Sequence, residues 1–472
     1  MTSTMTMTIT MTTARPDPAE PGASAAAALN RIVRSLSGEP APWPRPGPVS
    51  AAGLHRARAL FALLGNPQDA VPTVHVAGTA GKGSVVAFIE GLLHAHGFRV
   101  GAHSSPHVYS LGERFRIDGQ PPDPELLRSA LLTIRPALAA LRAGPHGAPT
   151  YFETLNAMAF ALFADRVDYS VVETGIGGRY DSTNTISRSD KLAVVTAIGL
   201  DHTDVLGTTL AQIAGHKAGI FPERGQAVVA RPAQNEVATT VRAEQERRRC
   251  VVELVDVDGA TADAVTTGAG TTLRLPDRSR WPLGLTGRHQ AGNAYLALRA
   301  VAALAARDGW ALDRAAVAEG LRGVRLPGRF ERRMLPGGRP VVLDGAHNPL
   351  KLAALVDTLH QLHPGARFPW VVAFSADKDL AGALDVIGPA AGLVVATEFP
   401  AADGDHPAGV SIAPERVASA AAARSGVRVT IEADPTRAVA RADAASRHPL
   451  PVVVAGSFHL LGAARAVSVP WP

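Results

Sequence analysis

From residue 71 onward, short apolar runs alternate with apolar positions at helical spacing. Val71–Ala77 is rich in β-branched residues; Val85, Phe88, Ile89, Leu92 and Leu93 then follow on one helical face until Gly97. This pattern predicts a strand and a helix closed by Gly97. Arg99–His103, Tyr169–Val172 and Leu192–Ile198 read as further strands. Strands that are apolar throughout and separated by helices predict a parallel sheet covered by helices. Residues 226–285 are more β-like, with runs such as Val251–Val255 and Thr271–Leu275, and an Ala-rich helix is expected over Gln290–Ala306.

A boundary is expected near Pro327-Gly328-Arg329, beyond which the alternation restarts. Strands are expected at Pro340–Leu343, Val371–Phe374, Leu393–Thr397, Val427–Ile431 and Val452–Ala455, with helices at Leu350–Leu362, 379–388, 413–424 and 435–446. That is a second parallel α/β domain, Rossmann-like in pattern but without GxGxxG after its first strand, so no dinucleotide site is indicated. Residues 1–27 are rich in Thr, Ala and Pro and read as a disordered tail; they hold no apolar segment of secretory type, so a cytoplasmic protein is expected. The expected division is therefore 1–27, 28–328 and 329–472.

Composition adds exclusions. At ~150 residues per domain, 472 residues imply two or three domains, and 46% hydrophobic with 19% charged residues is a globular balance. Apolar runs such as Ala157–Ala164 are too short to span a bilayer. Cys250, the one cysteine, excludes a disulfide framework and reads as a small buried hydrophobe. The net charge is +5, but aromatic residues make up only 5% and Arg247-Arg248-Arg249 is the only tight basic run. Anionic small molecules fit this dispersed charge better than nucleic acid.

Candidate chemistry starts at Gly78-Thr79-Ala80-Gly81-Lys82-Gly83-Ser84, between the first strand and its helix. Glycines let backbone N–H groups curl towards phosphate, the helix N-terminus favours negative charge, Lys82 can reach terminal phosphates and Ser84 can bind Mg²⁺. The general phosphate-loop pattern has Ser or Thr directly after Lys, and here Gly83 intervenes; a plain Gly-rich turn is the alternative. The strand ends nearby are polar: His103-Ser104-Ser105-Pro106-His107, Glu173 before Gly175-Ile176-Gly177-Gly178, and Gly199-Leu200-Asp201-His202. In parallel sheets ligands gather at this edge, and a strand-end carboxylate such as Glu173 suits Mg²⁺. Lys217 is the only lysine between Lys191 and Lys351; amine chemistry or a helix-end charge would each explain it.

These motifs together resemble the folylpolyglutamate synthase/dihydrofolate synthase family of the Mur ligase superfamily. The resemblance runs from about Gly53 to Gly462. It is carried by the phosphate loop, Gly112-Glu113-Arg114-Phe115-Arg116, Phe152-Glu153-Thr154-Leu155, Glu173–Asn184, Lys217-Ala218-Gly219-Ile220, His289-Gln290-Ala291-Gly292-Asn293, Asp344-Gly345-Ala346-His347-Asn348-Pro349, Asp377-Lys378-Asp379 and Gly456-Ser457-Phe458-His459. It implies a P-loop-type ATPase domain followed by a glutamate-ligase domain. The implied enzyme is a monomeric ATP-dependent ligase that joins L-glutamate to dihydropteroate or a reduced folate through an acyl phosphate.

The resemblance also implies roles. Thr79, Gly81, Lys82, Gly83, Ser84, Asn293, Arg329 and Asp344 would contact ATP. Ser84, Ser105, Glu173 and His202 would hold Mg²⁺ at two sites. Lys217 would be carbamylated and, with Lys82 and His347, catalytic. Phe152, Glu153, Tyr180 and Asp181 would lie near the pterin, and Ser457 on the glutamate side. Departures are Ala80 where the family usually has Asn, Ala51-Ala52 before Gly53-Leu54, His216 for the usual Glu, and Ser375-Ala376 before Asp377. They leave open a paralogous amide ligase acting on a non-folate carboxylic acid.

Overall fold

The computed structural model describes residues 21–38, 50–275, 277–399, 410–424, 426–445 and 450–471. Of the expected tail, residues 1–20 lie outside the described residues, whereas Pro21–Leu36 is a helix that buries Leu29 and Val33.

The first sheet has seven strands in the order Phe115–Ile117, Val100–His103, Tyr169–Glu173, Thr73–Ala77, Leu192–Val195, Gln226–Ala230 and Val251–Val255. All pair in parallel except Phe115–Ile117, which runs antiparallel to its neighbour. The central strands bury both faces, which is why they read as unbroken apolar runs. On one face Phe88, Ile89 and Leu92 of the helix Lys82–Ala95 pack with Ala294, Ala297 and Val301 of the helix Arg288–Asp308. The other face meets Leu155, Met158 and Leu162 of the helix Tyr151–Phe163.

Among its described residues, the region 226–285 holds five strands, among them the expected Val251–Val255 and, at Gly270–Arg274, the expected run near Thr271–Leu275, and two helices besides. Two of its strands extend the parallel sheet around the helix Asn235–Arg248, and Val265–Thr267, Gly270–Arg274 and Arg280–Leu283 form a small antiparallel sheet. That helix buries Val237, Val241 and Glu244, too few apolar positions for its period to stand out. Arg247 and Arg248 pair with Glu244 there, so the basic run caps a helix. Cys250 is buried, and burial pushes its thiol up to about 11.

The second sheet has the order Arg428–Ile431, Ala391–Ala396, Phe368–Val372, Val452–Ala455, Pro340–Leu343, Glu331–Met334 and Val469–Pro470. Its first five strands are parallel and the last two antiparallel. The carboxyl ends of the two parallel sheets face each other across one cavity.

Candidate active site

The cavity has a volume of about 340 Å³ and is walled by both domains. On the first domain's side, Gly81 stands at φ 87°, where glycine carries no Cβ penalty. A Cβ there would lie 2.4 Å from Asn293 Oδ1. Asn293 Nδ2 donates to Gln290 Oε1 at 3.0 Å, so the amide braces the loop from behind. Thr79 Oγ1 donates to the Gly199 carbonyl at 2.9 Å and accepts from the Gly199 N–H at 3.1 Å. The phosphate loop is thereby tied to the segment that carries Asp201 and His202.

Two lysines converge on one carbonyl: Lys82 Nζ donates to Gly78 O at 3.2 Å and Lys217 Nζ at 2.8 Å. Lys217 is buried on the last turn of the helix Leu210–Ala218. Burial, followed by the nearby charge of Lys82, holds its amine well below the usual lysine range.

The neighbouring strand ends supply oxygen ligands. Glu173 closes its strand with Oε1 at 3.9 Å from Lys82 Nζ, and its Oε2 accepts the Ser105 N–H at 3.2 Å. His202 begins a short helical turn, and burial pushes its imidazole down to about 3 against the pull of Asp201. Ser105, Glu173 and His202 all line the cavity; Ser84 is buried, and Gly83 forms the wall beside it. No group of three His, Cys, Asp or Glu poised for a metal occurs among the described residues. The donor set nevertheless fits Mg²⁺ beside a nucleotide, which takes one or two carboxylates and completes its shell with phosphate and water.

From the second domain come Arg329, His347, Lys351, Lys378 and Ser457. The Arg329 guanidinium stacks 4.5 Å over the Phe458 ring and is partly buried; desolvation there lowers its pKa. Asp344 stands behind it, accepting the Phe330 and Ala346 N–H groups, each at 2.8 Å, and burial raises its carboxyl. His347 lies 2.8 Å by Nδ1 from Gly345 O and 3.0 Å by Nε2 from Lys351 Nζ. A carbonyl only accepts, so the imidazole proton is assigned to Nδ1.

At the other end of the cavity, the Phe152 ring lies against Gly175, where a Cβ would come within 2.6 Å of it. The Tyr180 ring meets His216 edge-on at 5.8 Å. Glu153 is engaged in structure: it accepts Arg56 Nε and Nη2 at 2.7 and 2.9 Å and the Thr150 N–H at 2.7 Å. Asp181 accepts the Thr183 and Ile176 N–H groups, both at 3.0 Å. Ser457 caps its helix by accepting the His459 N–H at 3.3 Å.

Known proteins resemble this chain in sequence and fold. The model of the Mur ligase middle domain matches residues 76–301, and that of the Mur ligase glutamate ligase domain matches residues 328–458. The chain is 37% identical over 445 residues to the dihydrofolate synthase/folylpolyglutamate synthase of Mycobacterium tuberculosis, covering 88% of this chain and 89% of that one. The chain belongs to the folylpolyglutamate synthase/dihydrofolate synthase family. The Bacillus subtilis dihydrofolate synthase/folylpolyglutamate synthase is 36% identical over 69% of this chain and 76% of its own. The M. tuberculosis folylpolyglutamate synthase complexed with ADP superposes with a TM-score of 0.79 at 33% identity, covering 94% of this chain and 98% of that one. E. coli FolC in complex with DHPP and ADP follows at a TM-score of 0.76 and 26% identity, covering 95% and 99%. The chain is accordingly an ATP-binding, ATP-dependent ligase of the Mur superfamily.

In this ligase, Ser84, Asn293 and Asp344 stand behind the cavity wall, and the other singled-out residues line it. The wall also holds residues without an expected role: Arg56, Asp201, Lys351 and Lys378. Asp201 Oδ2 lies 3.6 Å from Lys351 Nζ, and Oδ1 lies 3.7 Å from Lys378 Nζ. The signal for this cluster was present in the segments around Asp201, Asn348 and Asp377, but its meaning lies in their meeting. Among the described residues no helix is long and apolar enough to cross a membrane.

Proposed function

We propose that this ligase joins L-glutamate to the carboxylate of a pterin-bearing acid, dihydropteroate or a reduced folate, at the expense of ATP. One observation carries the reading: a phosphate loop on one parallel-sheet edge faces a cation-rich edge of a second domain across one cavity. Dihydrofolate synthase/folylpolyglutamate synthase is also the name of the M. tuberculosis and B. subtilis relatives.

The chemistry follows from the charges. Transfer of the γ-phosphoryl group to a carboxylate brings two anions together, and the loop N–H groups, Lys82 and Arg329 lower that repulsion. The acceptor carboxylate becomes an acyl phosphate. The amine of glutamate attacks its carbonyl carbon, the amide C–N bond forms and phosphate leaves. Lys351 and Lys378 add positive charge where a dicarboxylic amino acid must sit, and His347 accepts from Lys351 Nζ on Nε2, which holds that cation in place. Glu173, with Ser105 and His202 on the cavity wall and Ser84 reached from behind it, would hold Mg²⁺ at two sites, where it would neutralise phosphate charge. Burial shifts the Lys217 amine towards its neutral form, which suits capture of CO₂ as a carbamate that would place an anionic group beside the loop. In this reading the enzyme works as a cytoplasmic monomer whose domains 28–328 and 329–472 hinge near Arg329 and exclude water from the acyl phosphate.

The test is isotopic. Acceptor acid labelled with oxygen-18 in its carboxylate is incubated with ATP and L-glutamate. The label is expected in the released phosphate; unlabelled phosphate alongside amide product would overturn the acyl-phosphate route.

A further inference from the structure

Asp181 is held at the cavity wall by a hydrogen-bond chain that reaches into the middle of the first sheet. Its Oδ1 accepts from Thr183 Oγ1 at 2.5 Å, and Thr183 Oγ1 lies 2.8 Å from His75 Nε2. His75 sits on the strand Thr73–Ala77, opposite Val172 of the next strand, and has no exposed surface. The proton order follows from the acceptor. Thr183 Oγ1 donates its proton to Asp181 Oδ1, so the Thr183 lone pair faces His75. Nε2 of His75 must then carry the ring proton, which leaves Nδ1 as an acceptor. Nδ1 is buried and has no hydrogen-bond partner. An apolar side chain would fill this strand position without leaving a buried nitrogen unsatisfied, so the histidine is explained by its Nε2–H.

We propose that His75 is a positioning residue for the acid substrate: through Thr183 it fixes the Asp181 carboxylate so that Oδ2 presents its remaining lone pair to an N–H donor of the substrate's heterocycle. The Thr183 hydroxyl and N–H occupy Oδ1 and the Ile176 N–H occupies Oδ2, which holds the carboxylate plane still. The acceptor site left on Oδ2 of a fixed carboxylate is directional, and a pterin can offer an amine or ring N–H to it. The inference rests on the reading of Asp181 as a contact to the acid substrate, and it assigns a role to a residue that never meets that substrate.

The experiment uses the full chain with ATP and the acceptor acid varied separately. His75→Leu is expected to raise the acceptor KM about fivefold to tenfold, as loss of one link in a buried network implies, with kcat and the ATP KM within about twofold. His75→Gln, whose amide nitrogen reaches the Nε2 position, is expected to restore the acceptor KM. Thr183→Val and Thr183→Ser repeat the test at the second link if His75→Leu does not fold, with Val breaking the chain and Ser keeping it. An unchanged acceptor KM in both His75→Leu and Thr183→Val, or equal losses in kcat and both KM values without rescue by Gln or Ser, overturns the relay. A wild type that links glutamate to neither acid overturns the substrate reading and this inference with it, whereas an active wild type indifferent to both breaks overturns the relay alone.

Discussion

Asp201 of the first domain accepts a hydrogen bond from Asn348 of the second, Oδ2 from Nδ2, at 3.0 Å. Burial alone would raise the Asp201 carboxyl, but His202, Lys351, His347 and Lys378 hold it well below the usual carboxylate range. A folded-state pKa below the unfolded value contributes stability above the unfolded value and loses it as pH falls through the folded one. The inter-domain contact should therefore persist through mild acid and fail only below the ordinary carboxylate range. Asp201→Ala removes the shared anion and leaves two lysines facing each other. It should lower kcat/KM for glutamate about tenfold, measured at saturating ATP, and make the loss steeper at low salt. An unchanged kcat/KM would remove this contact from the working site.

The metal assignment gives a second expectation. Glu173→Gln keeps the shape of the strand end and its contact with the Ser105 N–H while removing the charge. Turnover should fall at least about tenfold at limiting Mg²⁺ and recover in part at high Mg²⁺, because affinity rather than geometry is lost. Near-normal turnover at limiting Mg²⁺ would place the metal elsewhere.

Much of this site was legible in the sequence, and the remainder has a physical reason. Gly81, Lys82 and Glu173 announce themselves locally, as a glycine-rich strand-to-helix turn and a charge closing an apolar strand. The partnership of Asp201 with Asn348 spans 147 positions and two domains, so no periodicity carries it. The motifs put Ser84, Asn293 and Asp344 near the nucleotide, but motifs do not distinguish a wall from what stands behind it. Asn293 works through Gly81, and Asp344 through the backbone of Phe330 next to Arg329. Glu153 carries a motif residue's name and a scaffold's duties, capping a helix and clamping Arg56.

Lys217 should depend on CO₂. The neutral amine is the form that adds to CO₂, with one proton released as the N–C bond forms, and burial shifts the Lys217 amine towards that form. Turnover should fall in degassed, bicarbonate-free buffer and return on adding bicarbonate, while Lys217→Ala should be inactive and partly rescued by a short external carboxylate. Native mass spectra of fully active protein showing only the unmodified lysine would contradict the assignment.

Arg329 should couple nucleotide binding to closure. Its guanidinium is carried by the Phe458 ring, which also packs over Gly345; a Cβ at Gly345 would lie 2.0 Å from that ring. Gly345→Ala should therefore displace the ring, lower stability by about 1–3 kcal/mol and raise the ATP KM in the same direction as Arg329→Ala. Small-angle scattering should show the radius of gyration of wild-type protein shrinking with an ATP analogue and acceptor, and shrinking less in both variants. Identical scattering and kinetics in all three proteins would remove the hinge from the mechanism.

The central claim is that one cavity between two sheet edges attaches glutamate to a pterin acid. It is tested most directly by mass analysis of the products formed from ATP, Mg²⁺ and L-glutamate with dihydropteroate, with tetrahydrofolate, or with neither. Phosphate release should require an acid, and at least one acid should gain the mass of a glutamyl residue, one residue per ADP formed. ATP hydrolysis that is indifferent to both acids, or turnover that leaves both at their starting mass, would contradict the account.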